Sequence, residues 1–105
     1  MEFLNKVELK GIVGRVSELN VQDQCETRFS IVTQYAYINE DGEQAIETTW
    51  FGCVYLAPKE SKPSISNGDK VHIIGRVRVL RYSADDGSVR DIHEVIVNEV
   101  EIIRE

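Results

Sequence analysis

The 105 residues suffice for one domain, expected to span 1–105, and with 42% hydrophobic residues they can build a real core without metal or disulfide. No apolar run approaches the ~20 residues of a membrane span, and charged residues follow Met1, Glu2, Phe3 and Leu4 where a signal peptide would continue. The net charge of −6 argues as a total against nucleic acid, because phosphate binding is driven by Lys and Arg, but its distribution is uneven.

The first strand is expected over residues 6–16, where Val7 and Leu9 alternate with Lys6, Glu8 and Lys10. Gly11 and Gly14 interrupt that alternation and suggest a bulge or sharp bend, as a small barrel requires. Residues 17–27 are polar and read as a loop. The second strand follows over 28–38, with Phe29 and Ile31 on one face and Tyr35 and Tyr37 at its end. Asp41 and Gly42 signal a hairpin turn. A third strand over 45–56 is rich in Thr, Trp, Phe, Val and Tyr.

Residues 57–66 are the one place for a helix, and Pro58 and Pro63 limit it to about one or two turns. Asn67, Gly68 and Asp69 form a turn. A long fourth strand over 71–82 carries Val71, Ile73, Val77 and Val79 on one face and Arg76 and Arg78 on the other. It is locally basic: residues 70–82 hold Lys70, Arg76, Arg78 and Arg81 and no acid. Asp86 and Gly87 close a second hairpin, and a fifth strand over 89–97 is expected to continue through 100–103. Residues 85–105 hold seven acids and two arginines, so the chain turns acidic towards its end. Five strands with a helical or irregular insertion between the third and fourth are the element order of an all-β, Greek-key OB-fold barrel.

No phosphate loop, zinc-protease, serine-hydrolase or dinucleotide signature is present, and no nucleophile with a base can be named. The chain is therefore not expected to be an enzyme, and it calls for no cofactor. Cys25 and Cys53 lack C-x-x-C spacing and read as free thiols in a reducing cytoplasm. His72 and His93 have no ligand-spaced partner and read as structural or surface residues.

Several stretches carry a resemblance. Asn5 to Gly11 reads N-K-V-E-L-K-G; residues 41–43 read D-G-E and 47–51 read E-T-T-W-F; residues 67–71 read N-G-D-K-V and 75–78 G-R-V-R. Arg81, Tyr82, Asp86 and Gly87 complete the series. In this order they resemble the bacterial single-stranded-DNA-binding protein family, from about Asn5 to Ile103. The stretch before Asn67 is shorter than the family's usual helix, and the family's acidic-tipped disordered tail is not seen after Ile103. Primosomal replication proteins of the same fold also lack that tail, and offer the alternative of a protein-interaction module with modest nucleic-acid binding.

The resemblance implies sequence-tolerant binding of single-stranded DNA, or of RNA, in replication, recombination or repair. It further implies a bacterial, cytoplasmic, nucleoid-associated homodimer or homotetramer. The first strand, with Val7 and Leu9, is the expected pairing surface. Replication or repair proteins could be partners, although the recruiting tail is not there. Such binding needs aromatic faces for base stacking and basic groups for the phosphates. Trp50 matches a stacking Trp of the family and shares its strand face with Gly52 and Leu56 by alternation; Gly52 leaves room for a flat base, and Leu56 extends the face. Tyr82 matches the aromatic residue near the hairpin tip, and either Tyr35 or Tyr37, with Tyr37 preferred, matches another. Arg76, Arg78 and Arg81 are the expected phosphate contacts, with Arg28, Lys6, Lys10 and Arg15 behind them.

Overall fold

A computed structural model describes residues 1–104; Glu105, last of the acid-rich end, lies outside them. Five strands, β1 (Val7–Val21), β2 (Gln24–Ile38), β3 (Gln44–Pro58), β4 (Lys70–Ser83) and β5 (Val89–Ile103), close a barrel in the order β1-β2-β3-β5-β4. All neighbours are antiparallel except β3 and β5, which pair in parallel only at Cys53 with Val95 and Val54 with Ile96. This is the OB-fold. The insertion between β3 and β4 holds a single 3-10 turn, Lys59–Ser61, and then runs irregularly.

The core is one cluster in which Val13, Phe29, Ile31, Val71 and Ile73 meet Val95 and Val97. Alternation explains it. Odd positions of β2 and β3 turn inward, so Phe29 opposes Cys53 and Ile31 opposes Phe51, while even positions lie on the outer face, where Val54 is nonetheless buried as it pairs with Ile96 of β5.

The expected loop over 17–27 is instead the end of a long hairpin. β1 runs on to Val21, β2 starts at Gln24, and Gln22 makes the tight turn with φ of 57°. Its polarity misleads because the inward residues, Cys25 and Thr27, are small and fully buried, and the outward ones, Glu26 and Arg28, are charged. Asp23 anchors the turn to the barrel by accepting a hydrogen bond from the Lys59 amide at 2.9 Å.

The β1 register shifts between Val13 and Val16, the bend that the glycines suggested. The turn at 67–69 is fastened to that bend. Gly68 donates to the Val13 carbonyl at 2.8 Å, Val13 donates back to Asp69 at 2.8 Å, and Asn67 Nδ2 donates to the Gly14 carbonyl at 2.6 Å. Ile65, buried beneath, pins the same loop to the core.

Beyond the barrel, two hairpins project as arms. One joins the ends of β2 and β3, the other those of β4 and β5. Gly42, with φ of 78°, and Gly87, with φ of 86°, close their turns in backbone that favours glycine. The fourth-strand alternation fails along the second arm: Val71 and Ile73 are fully buried, but Val79 lies beyond the barrel and is 51% exposed.

Candidate nucleic-acid interface

Where β3 and β5 part, a cleft opens in the barrel wall. Trp50, Phe51, Gly52, Val77, His93 and Glu94 line it. A hollow next to it is walled by Arg15, Ser17, Arg28, Ser30, Gly52 and Glu94. Gly52 borders both, and a Cβ added there would meet nothing within 4 Å, so the space above its backbone is open.

Trp50 lies on the outer face, 60% exposed, and is no core residue. Its six-membered ring rests over β1 at Gly14, where an added Cβ would stand 2.8 Å from Cζ3 and 2.7 Å from Ser30 Oγ. The glycine in the β1 bend therefore lets the indole lie close to the sheet. Leu56 shares this face six residues along β3 and is 62% exposed. Trp50 and Leu56 thus mark two ends of one strip about 20 Å long at the ordinary rise of a strand.

The tyrosines divide differently. Tyr35 and Tyr37 both have the parity of buried Phe29 and Ile31, so they occupy the face of their arm opposite to Trp50. Both are exposed, and alternation gives neither one precedence. Tyr82 is exposed near the tip of the other arm, opposite Arg90, with the strand parity of Arg76 and Arg78.

The basic stretch is free of acids only along the chain. β5 runs antiparallel beside β4 and sets Glu94 opposite Arg78 and Asp91 opposite Arg81. Arg78 Nη2 donates to Glu94 Oε1 at 2.5 Å, and Arg81 Nε donates to Asp91 Oδ1 at 3.0 Å. Arg81 falls on the other face of the arm by alternation, away from Arg76 and Arg78. Its pair is exposed and so weak, about 0–1 kcal/mol at most. Among the described residues, Arg76 and Arg15 make no ion pair.

Arg28, ranked behind Arg76, Arg78 and Arg81 in the sequence, and Glu94, which no motif marks, meet at the centre of this surface. Glu94 sits on β5 beside Gly52, its side chain 8% exposed, and also accepts from Arg28 Nη1 at 3.2 Å. Arg28 reaches it from β2, over the gap that Gly52 leaves in β3. Its Nη2 donates to Glu26 Oε1 at 3.2 Å. No local spacing announces this; it depends on the parallel register of β3 and β5. The Arg78 hydrogen bond, with Arg28 nearby, holds the Glu94 carboxyl below the ordinary glutamate value of 4.5, against the opposing effect of burial. A depressed carboxylate lends stability that is present above its unfolded pKa and is lost as pH falls through its folded one. The stability difference between the native protein and Glu94→Gln should therefore shrink below about pH 4.5. Urea titrations at pH 7 and pH 3.5 check this, and an unchanged difference would refute it.

Other polar groups serve the scaffold. His72 Nε2 and Glu8 Oε2 pair at 2.5 Å across β4 and β1, far from the cleft in register. Burial pushes the Cys53 thiol up to about 12, so it is unreactive at neutral pH. No cluster of three or more His, Cys, Asp or Glu that could hold a metal occurs among the described residues.

The single-strand binding protein family profile matches residues 4–103, nearly the whole barrel and both arms. The chain belongs to the single-strand binding protein family. A curated relative, the single-stranded DNA-binding protein of Neisseria meningitidis serogroup A, is 27% identical over 104 residues. That match takes in 95% of this chain and 60% of the relative, so the chain spans about three fifths of the relative's length. Among solved structures, the Plasmodium falciparum SSB in complex with ssDNA superposes with a TM-score of 0.83 at 20% identity, covering 99% of this chain and 98% of that one. A deletion mutant of the Thermus aquaticus single-stranded DNA binding protein gives 0.81 at 15% identity, covering 96% and 51%. At these identities the likeness to the solved structures is one of fold.

Proposed function

We propose that this chain binds single-stranded DNA with little regard to sequence and shields it during replication, recombination or repair. The observation that carries the reading is the exposed Trp50 lying along an open floor at Gly52, with Arg28, Arg76 and Arg78 on the surrounding rows. Stacking on an aromatic face accepts any base, and guanidinium groups beside it take the phosphates. Tyr82 on the second arm, Leu56 down the strip and Tyr35 or Tyr37 on the first arm would extend contact to further nucleotides. Arg81 would contribute by exchanging its exposed Asp91 partner for a phosphate.

The proposal treats residues 1–105 as one binding domain acting without catalysis, in the bacterial cytoplasm on the nucleoid. It also includes self-association. In the first part of β1, residues 7–11 hydrogen-bond to β4 on one edge, and β2 pairs only from Ile12 onward. The other edge has no strand partner among the described residues, which suits a second copy of β1 and a homodimer or homotetramer.

Fluorescence of Trp50, the single tryptophan, tests the main reading. Oligo(dT) should quench it, and the affinity should fall with salt at a slope of about −0.7 per phosphate neutralised, roughly −2 for three arginines. Oligo(U) in parallel decides between DNA and RNA. Absence of quenching and of any mobility shift at low salt would overturn the proposal and favour a module that binds protein.

A further inference from the structure

Glu94 is an acid at the centre of a surface proposed to bind a polyanion. By charge alone it should weaken that surface. Its geometry argues the reverse. The carboxylate is nearly buried, whereas the two guanidinium groups that cover it are 51% and 42% exposed at Arg28 and Arg78. An approaching phosphate therefore meets cations first.

The two arginines come from strands that are not neighbours. Arg28 stands on β2 opposite Val54, and Arg78 stands on β4 opposite Glu94. β3 and β5 lie between them in the barrel. Long side chains from such distant strands would otherwise sample many rotamers, and fixing them on binding would cost affinity. Glu94 fixes them beforehand, one guanidinium on each oxygen. Gly52 keeps the line between them clear. Each guanidinium has five N–H donors, so after one bond from Arg78 and two from Arg28 both retain donors for a ligand.

We infer that Glu94 is a positioning residue of the DNA site, holding Arg28 and Arg78 across the Gly52 gap as a preformed receptor for a backbone phosphate beside the base stacked on Trp50. This rests on the single-strand-binding reading above. Phosphate contact at this point is then shared between β2 and β4, and Arg28 matters as much as Arg78. The acid strengthens binding although it lowers the positive charge.

The test sets charge against position. Glu94→Gln removes a negative charge but can no longer hold two guanidinium groups. Positioning predicts that oligo(dT) affinity falls about tenfold, the order of one charge-assisted hydrogen bond. The slope of log affinity against log salt should become shallower by about 0.7, one phosphate contact. In an Arg28→Ala/Arg78→Ala background the same Glu94→Gln change should cost nothing, which a merely structural role would not produce. Tighter binding, or equal binding with an unchanged slope, by a folded Glu94→Gln protein would overturn the inference. Should Glu94→Gln fail to fold, Glu94→Asp keeps the buried charge but is too short for both partners. A folded Glu94→Asp protein should also bind more weakly, and native affinity there would equally overturn the inference. Failure of the native protein to bind oligo(dT) would instead remove the reading on which the inference rests.

Discussion

Trp50→Ala is expected to weaken oligo(dT) binding by roughly 1–3 kcal/mol, the value of one lost base stack, and to leave the fold nearly as stable as before. The separation follows from where the indole lies. It is 60% exposed and rests on the outside of β1 and β2, so its removal opens no cavity in the core. Its neighbours there, Gly14 and Ser30, have little apolar surface to lose. A core ring replaced by alanine would cost roughly 3–5 kcal/mol of stability. Trp50→Phe should recover most of the affinity, because the π face is the useful part. Tyr82→Ala should behave likewise, since that ring is exposed too. Binding can be followed by electrophoretic mobility and stability by urea titration, since the fluorescent reporter is lost. A folded Trp50→Ala protein with native affinity would remove Trp50 from the site. A cost of several kcal/mol in stability would show that the ring belongs to the scaffold instead.

The barrel was legible in the sequence because alternation is strong where strands are buried on one side. Phe29, Ile31, Val71 and Ile73 all fall inside, as their spacing requires, and the glycine interruption at Gly14 does coincide with the β1 bend. Two kinds of information were not legible. The first was the polar half of the β1–β2 hairpin, where Thr27 and Cys25 fill the interior without looking hydrophobic. The second was everything that depends on which strand lies beside which. Lys70, Arg76, Arg78 and Arg81 form an acid-free run in one dimension. In the sheet, Glu94 and Asp91 stand opposite two of them. The same step hid the pairing of Arg28, which meets Glu94 only because β3 and β5 pair in parallel. It also separated the aromatic residues. Trp50 and Tyr35 are close along the β2–β3 hairpin but have opposite parity relative to the sheet. A strand of DNA touching both would have to pass around the edge of that arm.

Ile73→Ala is expected to have the larger effect on stability, about 3–4 kcal/mol, within the range for truncating a fully buried isoleucine. Val79→Ala, on the same strand and in the same odd-numbered series, should change stability by less than about 0.5 kcal/mol. The sequence does not distinguish the two, since both are β-branched residues in one apolar alternation. The structure does. Ile73 is wholly buried in the cluster with Val13, Ile31 and Val95, opposite Leu9 on β1 and Val100 on β5. Val79 pairs with His93 in the projecting arm, where half its surface is in water. Removing three carbons at Ile73 loses their burial and leaves a void that the closed barrel cannot collapse around, because strands on both sides hold its backbone. For a domain of this size the thermal midpoint should fall by roughly 12–25 °C. Affinity per folded molecule should stay native at low temperature, as Ile73 faces away from the cleft. Thermal melts of both variants, with oligo(dT) titration at 10 °C, give the comparison. Equal losses at Ile73 and Val79 would mean that the arm is packed against something in solution, as a second copy of the chain would do.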